Sequence, residues 1–227
     1  MHIGHDEIQA IVLSVKAAAF STILSCPFAL VLGWLLARKK FIGKPLAEGL
    51  LNIPLVLPPV ITGYLLLLMF GQKGVIGHFL YSSFGIRIPF TFAAVIIASM
   101  VVSFPLYLKS IQTSFEMSDA SLEKVARSLG AGRLKVFFTV SVPLAKPGII
   151  SGTILCFARC LGEFGATITL AGNMKGLTRT IPLAVYSYMH IPGKEKQSVT
   201  LVLFSVIISI LAIMLSGHFN KLRRKKA

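Results

Sequence analysis

Five apolar stretches dominate this chain, at roughly residues 11–37, 46–70, 91–109, 147–171 and 199–218. Each approaches or exceeds the run of about 20 helical residues that crosses a bilayer. Backbone polar groups in hydrocarbon must be satisfied without water, which leaves helices or a closed barrel. The strict alternation of barrel strands is absent. The expectation is therefore an all-α integral membrane protein with five transmembrane helices. Composition agrees: hydrophobic residues make up 55% and charged residues 14% of the chain, against about 25% charged in soluble domains. That excludes a disordered chain, a disulfide scaffold and nearly every soluble enzyme. At 227 residues, the whole chain (1–227) reads as one domain. The N-terminal segment MHIGHDEIQ has no Lys or Arg, and the apolar run after it is too long for a secretion signal, so it reads as a retained span.

The net charge of +15 would suit a nucleic-acid binder, but its distribution argues otherwise. Four cations follow span 1 (Arg38, Lys39, Lys40, Lys44). Six lie between spans 3 and 4 (Lys109, Lys124, Arg127, Arg133, Lys135, Lys146), and five in the C-terminal tail (Lys221, Arg223, Arg224, Lys225, Lys226). The other side carries only Lys73, Arg87, Lys175, Arg179, Lys194 and Lys196. Positive residues stay cytoplasmic. The expected topology thus puts the N-terminus outside and the C-terminus inside, as an odd number of spans requires. Anionic lipid, not nucleic acid, is the expected partner of the basic surface.

Motifs of soluble chemistry are missing. The chain has no GxxxxGK[ST] phosphate loop, no HExxH and no GxSxG. His2 and His5 read as a solvated terminus. Cys156 and Cys160, one helical turn apart with no completing ligand, read as packing residues, so no metal site is expected.

The most informative polar stretch is FEMSDASLEKVARSLGAGRLKVFFTVSVPLAKPG, residues 115–148. Leu122, Val125, Ala126 and Leu129 recur at helical spacing and make one apolar face. Ser118 or Asp119 suits the start of that helix and Gly130 its end. Gly132 loosens the next link, a second short helical stretch puts Leu134, Phe137 and Phe138 on one face, and Pro143 and Pro147 mark the start of span 4. By geometry alone, such an amphipathic helix suits either the lipid interface or a groove on a soluble partner.

EKVARSLGAGRLKVFFTVSVP resembles the EAA loop of type I ABC importer permeases. Gly130 matches that motif's glycine and Pro143 its closing proline. The sequence departs where the motif has Glu, six residues before the glycine: Lys124 stands there, Glu123 lies one place earlier, and Val125 replaces the middle alanine. Span 2 (LLNIPLVLPPVITGYLLLLMFGQKGVIG) and span 4 (GTILCFARCLGEFGATITLAGN) are similar to the sulfate/molybdate branch of that family; the short chain with five spans favours the molybdate branch over sulfate or thiosulfate, with tungstate an alternative substrate. The resemblance covers about residues 8 to 218. It implies a multi-pass subunit of the bacterial cytoplasmic (inner) membrane that is not itself an enzyme. It implies a homodimer with the pathway at its interface, an extracytoplasmic molybdate-binding protein, and ABC ATPase subunits that bind the ATP and Mg. The loop 110–146 would carry the coupling helix, with Leu122, Glu123, Val125, Ala126, Arg127, Leu129, Gly130, Ala131 and Gly132 at the ATPase. A passive anion channel and an intramembrane enzyme are the rival classes.

Two features mark candidate pathway residues. Pro54, Pro58 and Pro59 break span 2, either as a packing kink or because the backbone lines a wet cavity. Arg159 and Glu163 sit four residues apart in span 4, where ionised groups are costly. They are expected to pair with each other or across the subunit interface, as a structural element or gate beside the pathway; alternatively Arg159 attracts the anion. Gly162 and Gly165 are expected to permit close approach around them. The six cations of the outer loops would favour arrival of an anion.

Overall fold

In the computed structural model, which describes residues 4–224, the chain is helical with no strand among the described residues. Helix α1 (His5–Arg38) buries Ala10, Ser14, Ala17, Ala18, Ser21, Ser25, Ala29 and Gly33, a stripe of small residues along one face. Its large apolar side chains, such as Ile23 at 67% exposure, point outward. This arrangement inverts a soluble helix. Lipid is as apolar as leucine, so small residues are buried where they let backbones approach and large ones face the hydrocarbon.

That stripe packs on α5 (Phe92–Met117), which begins at a Thr91 cap and is more buried than α1. A Cβ at Gly33 would lie 2.8 Å from Ile111 Cγ2, so only glycine allows this approach. The Ser21 hydroxyl donates to the Ile96 carbonyl at 2.9 Å across the seam. Helix α8 (Val142–Leu161) closes on the other side of α5, where Gly148 and Gly152 face Ser114 and Ser110. Tyr107, Ile111, Phe115, Cys156 and Cys160 share the resulting core.

Spans 2 and 4 depart from the expected straight helices. Residues 46–70 form two helices, α2 (Lys44–Val56) and α3 (Pro59–Phe70), bent by 111°. Leu57 precedes a proline and takes extended backbone, and Pro58 lacks the N–H that would continue the ladder. Pro59 then fits the first position of α3, where that donor would be unpaired anyway. Span 4 ends early as α8 and restarts as α9 (Gly165–Ala171) after a break at 162–164.

The expected 110–146 loop is shorter than the sequence suggested. Helix α5 runs on to Met117, and Pro143 and Pro147 do not start span 4 but lie within a longer rod. Between come α6 (Ala120–Ser128) and α7 (Arg133–Val136); α7 passes through a π turn (Phe137–Ser141) directly into α8, making one rod from Arg133 to Leu161. Two helices occupy segments expected as loops, α4 (Val75–Phe84) and α10 (Ile181–Met189). Helix α11 (Glu195–Arg224) contains the fifth stretch. By length and composition α1, α5 and the Arg133–Leu161 rod can each cross a membrane, and the bent α2–α3 pair makes a fourth candidate. The protein is a multi-pass membrane protein.

Candidate functional site

Helix α6 is defined by its caps. The Asp119 carboxylate accepts from the Ser121 N–H at 2.8 Å and the Ser121 hydroxyl at 2.7 Å. These bonds hold its carboxyl below the ordinary value of 3.8, the hydroxyl contributing most. At the other end Gly130 has φ +86°, with Ala131 N–H donating to Ala126 O (3.1 Å) and Gly130 N–H to Arg127 O (3.0 Å). This is a Schellman closure, and its left-handed residue is why glycine stands there.

No residue of α6 is buried. Among the described residues Leu122, Val125 and Leu129 are exposed at 46%, 54% and 83%, so their apolar face is largely uncovered. Ala126 is half-buried, while Arg127 and Gly132 are exposed. Glu123 turns inward. Its Oε1 accepts from Arg38 Nε at 2.9 Å, with both side chains 12% exposed. The sequence reading placed Glu123 at the partner ATPase; in this chain its carboxylate is engaged by α1. Arg38 had been legible only as a topology charge.

The two candidate pathway features meet. A Cβ on Gly165 would lie 2.9 Å from Pro59 Cβ and 3.1 Å from Val60 N; one on Gly63 would lie 2.7 Å from both Cα and O of Ala166. Thus α3 and α9, the segments after the two breaks, mesh backbone to backbone. Gly162 differs from the expectation: its Cβ would meet only the Arg159 carbonyl at 4.0 Å, so it ends α8 rather than admitting a neighbour.

Glu163 is 2% exposed and does two things. Its Oε2 accepts from Arg159 Nη1 at 2.9 Å, and its Oε1 accepts from the Ala166 N–H at 2.9 Å. One carboxylate therefore neutralises the cation at the end of α8 and satisfies an otherwise unpaired donor at the start of α9. Arg159 keeps 34% of its side chain exposed. Phe164, within the break, packs on Tyr186 of α10 with ring centroids 5.2 Å apart.

Helix α6 and the Arg159–Glu163 break lie at opposite ends of the rod, whose Arg133 and Arg159 are separated by 26 residues or about 40 Å of helix. Phe137 in the π turn anchors the lower end against Trp34 (5.7 Å) and Phe115 (6.4 Å). Elsewhere, Cys156 and Cys160 are buried free thiols beside Ser103, and no metal-binding cluster occurs among the described residues. His2 lies outside the described residues. Two of the cations expected in outer loops are engaged within the chain, Lys175 by Asp6 (2.9 Å) and Arg179 by Asn173 (2.8 Å).

Comparison with known proteins gives this architecture a family. The chain is 48% identical over 220 residues to the molybdenum transport system permease protein ModB of Haemophilus influenzae, covering 97% of this chain and 96% of that one. It is 45% identical over 227 residues to the protein of the same name in Escherichia coli K12, covering 100% and 99%. The fold is similar to a chain in the crystal structure of a bacterial alginate ABC transporter in complex with alginate pentasaccharide-bound periplasmic protein. There the TM-score is 0.73 at 14% identity, over 95% of this chain and 78% of that one. Residues 29–225 match the family described as binding-protein-dependent transport system inner membrane component, and the chain belongs to that family.

Proposed function

We propose that this chain is the membrane-spanning permease subunit of an ATP-driven molybdate importer of the bacterial inner membrane, working as a homodimer with the pathway at its interface. The carrying observation is the apolar face of α6, Leu122, Val125 and Leu129, which is largely uncovered among the described residues. The names of the full-length relatives supply the substrate. In this reading five spans place the N-terminus outside and α6 in the cytoplasm. A separate ATPase binds ATP and Mg and receives α6 in a groove, with Ala126, Arg127, Gly130, Ala131 and Gly132 fixing the pose and shape of the handle. An extracytoplasmic binding protein delivers the oxyanion. Closure of the ATPases on ATP displaces α6, the rod carries the displacement toward the Arg159–Glu163 break, and α3 with α9 shifts at the pathway. Glu163 and Pro58–Pro59 shape that gate, while Arg159 retains donors able to meet a passing dianion.

The test is reconstitution of the chain with its ATPase and binding protein in vesicles. Molybdate uptake that depends on ATP is expected, with tungstate and sulfate as competitors that define selectivity. Leu129→Asp should abolish co-purification of the ATPase while leaving the chain folded, since that side chain is largely exposed. Normal co-purification of this variant, or anion flux without either partner, would reject the proposal.

A further inference from the structure

We propose that Arg38 is a positioning residue for transport: its guanidinium is the strut through which motion of α6 is delivered to α1. The inference rests on the reading of α6 as the ATPase-facing helix and adds the element that receives the motion.

A handle with no buried residue needs another means of attachment. Arg38 is the last residue of α1, and its side chain makes three bonds to the start of α6. Nε donates to Glu123 Oε1 (2.9 Å), and Nη2 donates to Ser118 O (3.0 Å) and Ser118 Oγ (2.7 Å). One planar fork therefore clasps both the turn before α6 and its first turn. Such geometry suits guanidinium and not a lysine ammonium. The bond to Glu123 is charge-assisted and partly shielded from water, which strengthens it and limits screening by salt. Ser118 extends the linkage, because its hydroxyl donates in turn to Phe115 O at the end of α5 (2.8 Å).

What receives the force is stiff. Gly33, five residues before Arg38, is in direct contact with Ile111 and leaves no slack between α1 and α5. The far end of α1 is bonded as well: the Ser14 hydroxyl accepts from Ile181 N–H at 2.7 Å, at the start of α10. A displacement of α6 thus has a route along α1 to α10, whose Tyr186 packs on Phe164 in the span-4 break. Lys39, Lys124, Arg127 and Arg133 share the groove beside Glu123, yet Arg38 is the cation bonded to both Glu123 and Ser118.

The experiment uses the complete transporter in vesicles and reads molybdate moved per ATP hydrolysed. Arg38→Ala should retain ATPase association and hydrolysis while the ratio falls about 2- to 30-fold, and Glu123→Ala should lower the ratio by a similar factor. Arg38→Lys should also fall, having charge without the fork. The exchanged pair Arg38→Glu with Glu123→Arg should recover part of what each reversal alone loses. An unchanged ratio in the alanine variants, or an exchanged pair no better than the single reversals, would overturn the strut. Where an alanine variant fails to assemble, Arg38→Lys decides by the same ratio. Failure of the unaltered chain to bind any ATPase would instead sink the reading of α6, which separates the two outcomes.

Discussion

Glu163 shows how much one side chain can hold in a setting without water. Its two oxygens serve different masters, a cation on α8 and a backbone donor on α9. Glutamine keeps an acceptor for the Ala166 N–H but not the charge; alanine keeps neither. Glu163→Gln should therefore retain the fold and change transport, whereas Glu163→Ala should also lower stability by about 1–3 kcal/mol, the cost of leaving a buried donor unpaired. Thermal unfolding in detergent, compared between the two variants, checks the order. The Arg159–Glu163 pair was legible because it is local: four residues on a helix bring two side chains together. The Arg38–Glu123 pair is 85 residues apart in the chain and could not be read from spacing.

At the scale of elements, α6 depends on its caps more than on packing. Asp119 has a lowered carboxyl, so its cap is fully present above the ordinary carboxylate value of 3.8 and is lost as pH falls through the lowered one. Amide-exchange protection in the first turn of α6, corrected for intrinsic rate, should be flat from neutral to mildly acidic pH and drop only in strong acid. Asp119→Asn, which caps without titrating, should show no such drop. Loss of protection already at mildly acidic pH would contradict the assignment. The α6 helix itself was plain from the sequence because propensity, capping residues and apolar spacing agreed. Helices α4 and α10 were not, since ten and nine residues are too short to register as spans and lie in segments that carry loop charges. The breaks at Pro58 and at 162–164 were only half visible: prolines marked the first, but both lie inside long apolar stretches that read as continuous spans.

For the whole molecule, the distribution of basic residues predicts an orientation with the N-terminus outside. In a background with Cys26, Cys156 and Cys160 replaced, an impermeant thiol reagent applied outside should label His5→Cys, and Lys39→Cys only after the membrane is opened. The reverse pattern would invert the topology. Apolar length was sufficient to find α1, α5 and α11, because a bilayer demands a minimum run whatever the side chains do. It could not reveal that α3 and α9 mesh through Gly63 and Gly165, which depends on what is missing from a side chain rather than on what is present.

The π turn at Phe137–Ser141 has a bearing on aim. Such a turn accommodates one residue more than an α-helix does over the same rise. Deleting Thr139 would let the segment rewind with the flanking faces still in phase; rewinding it as α-helix with every residue kept would instead rotate everything on the α6 side by about 100° relative to α8. The apolar stripe of α6 would then point along a wrong azimuth, with every side chain of that stripe intact. The chain encodes the compass bearing of its α6 arm in a single surplus residue.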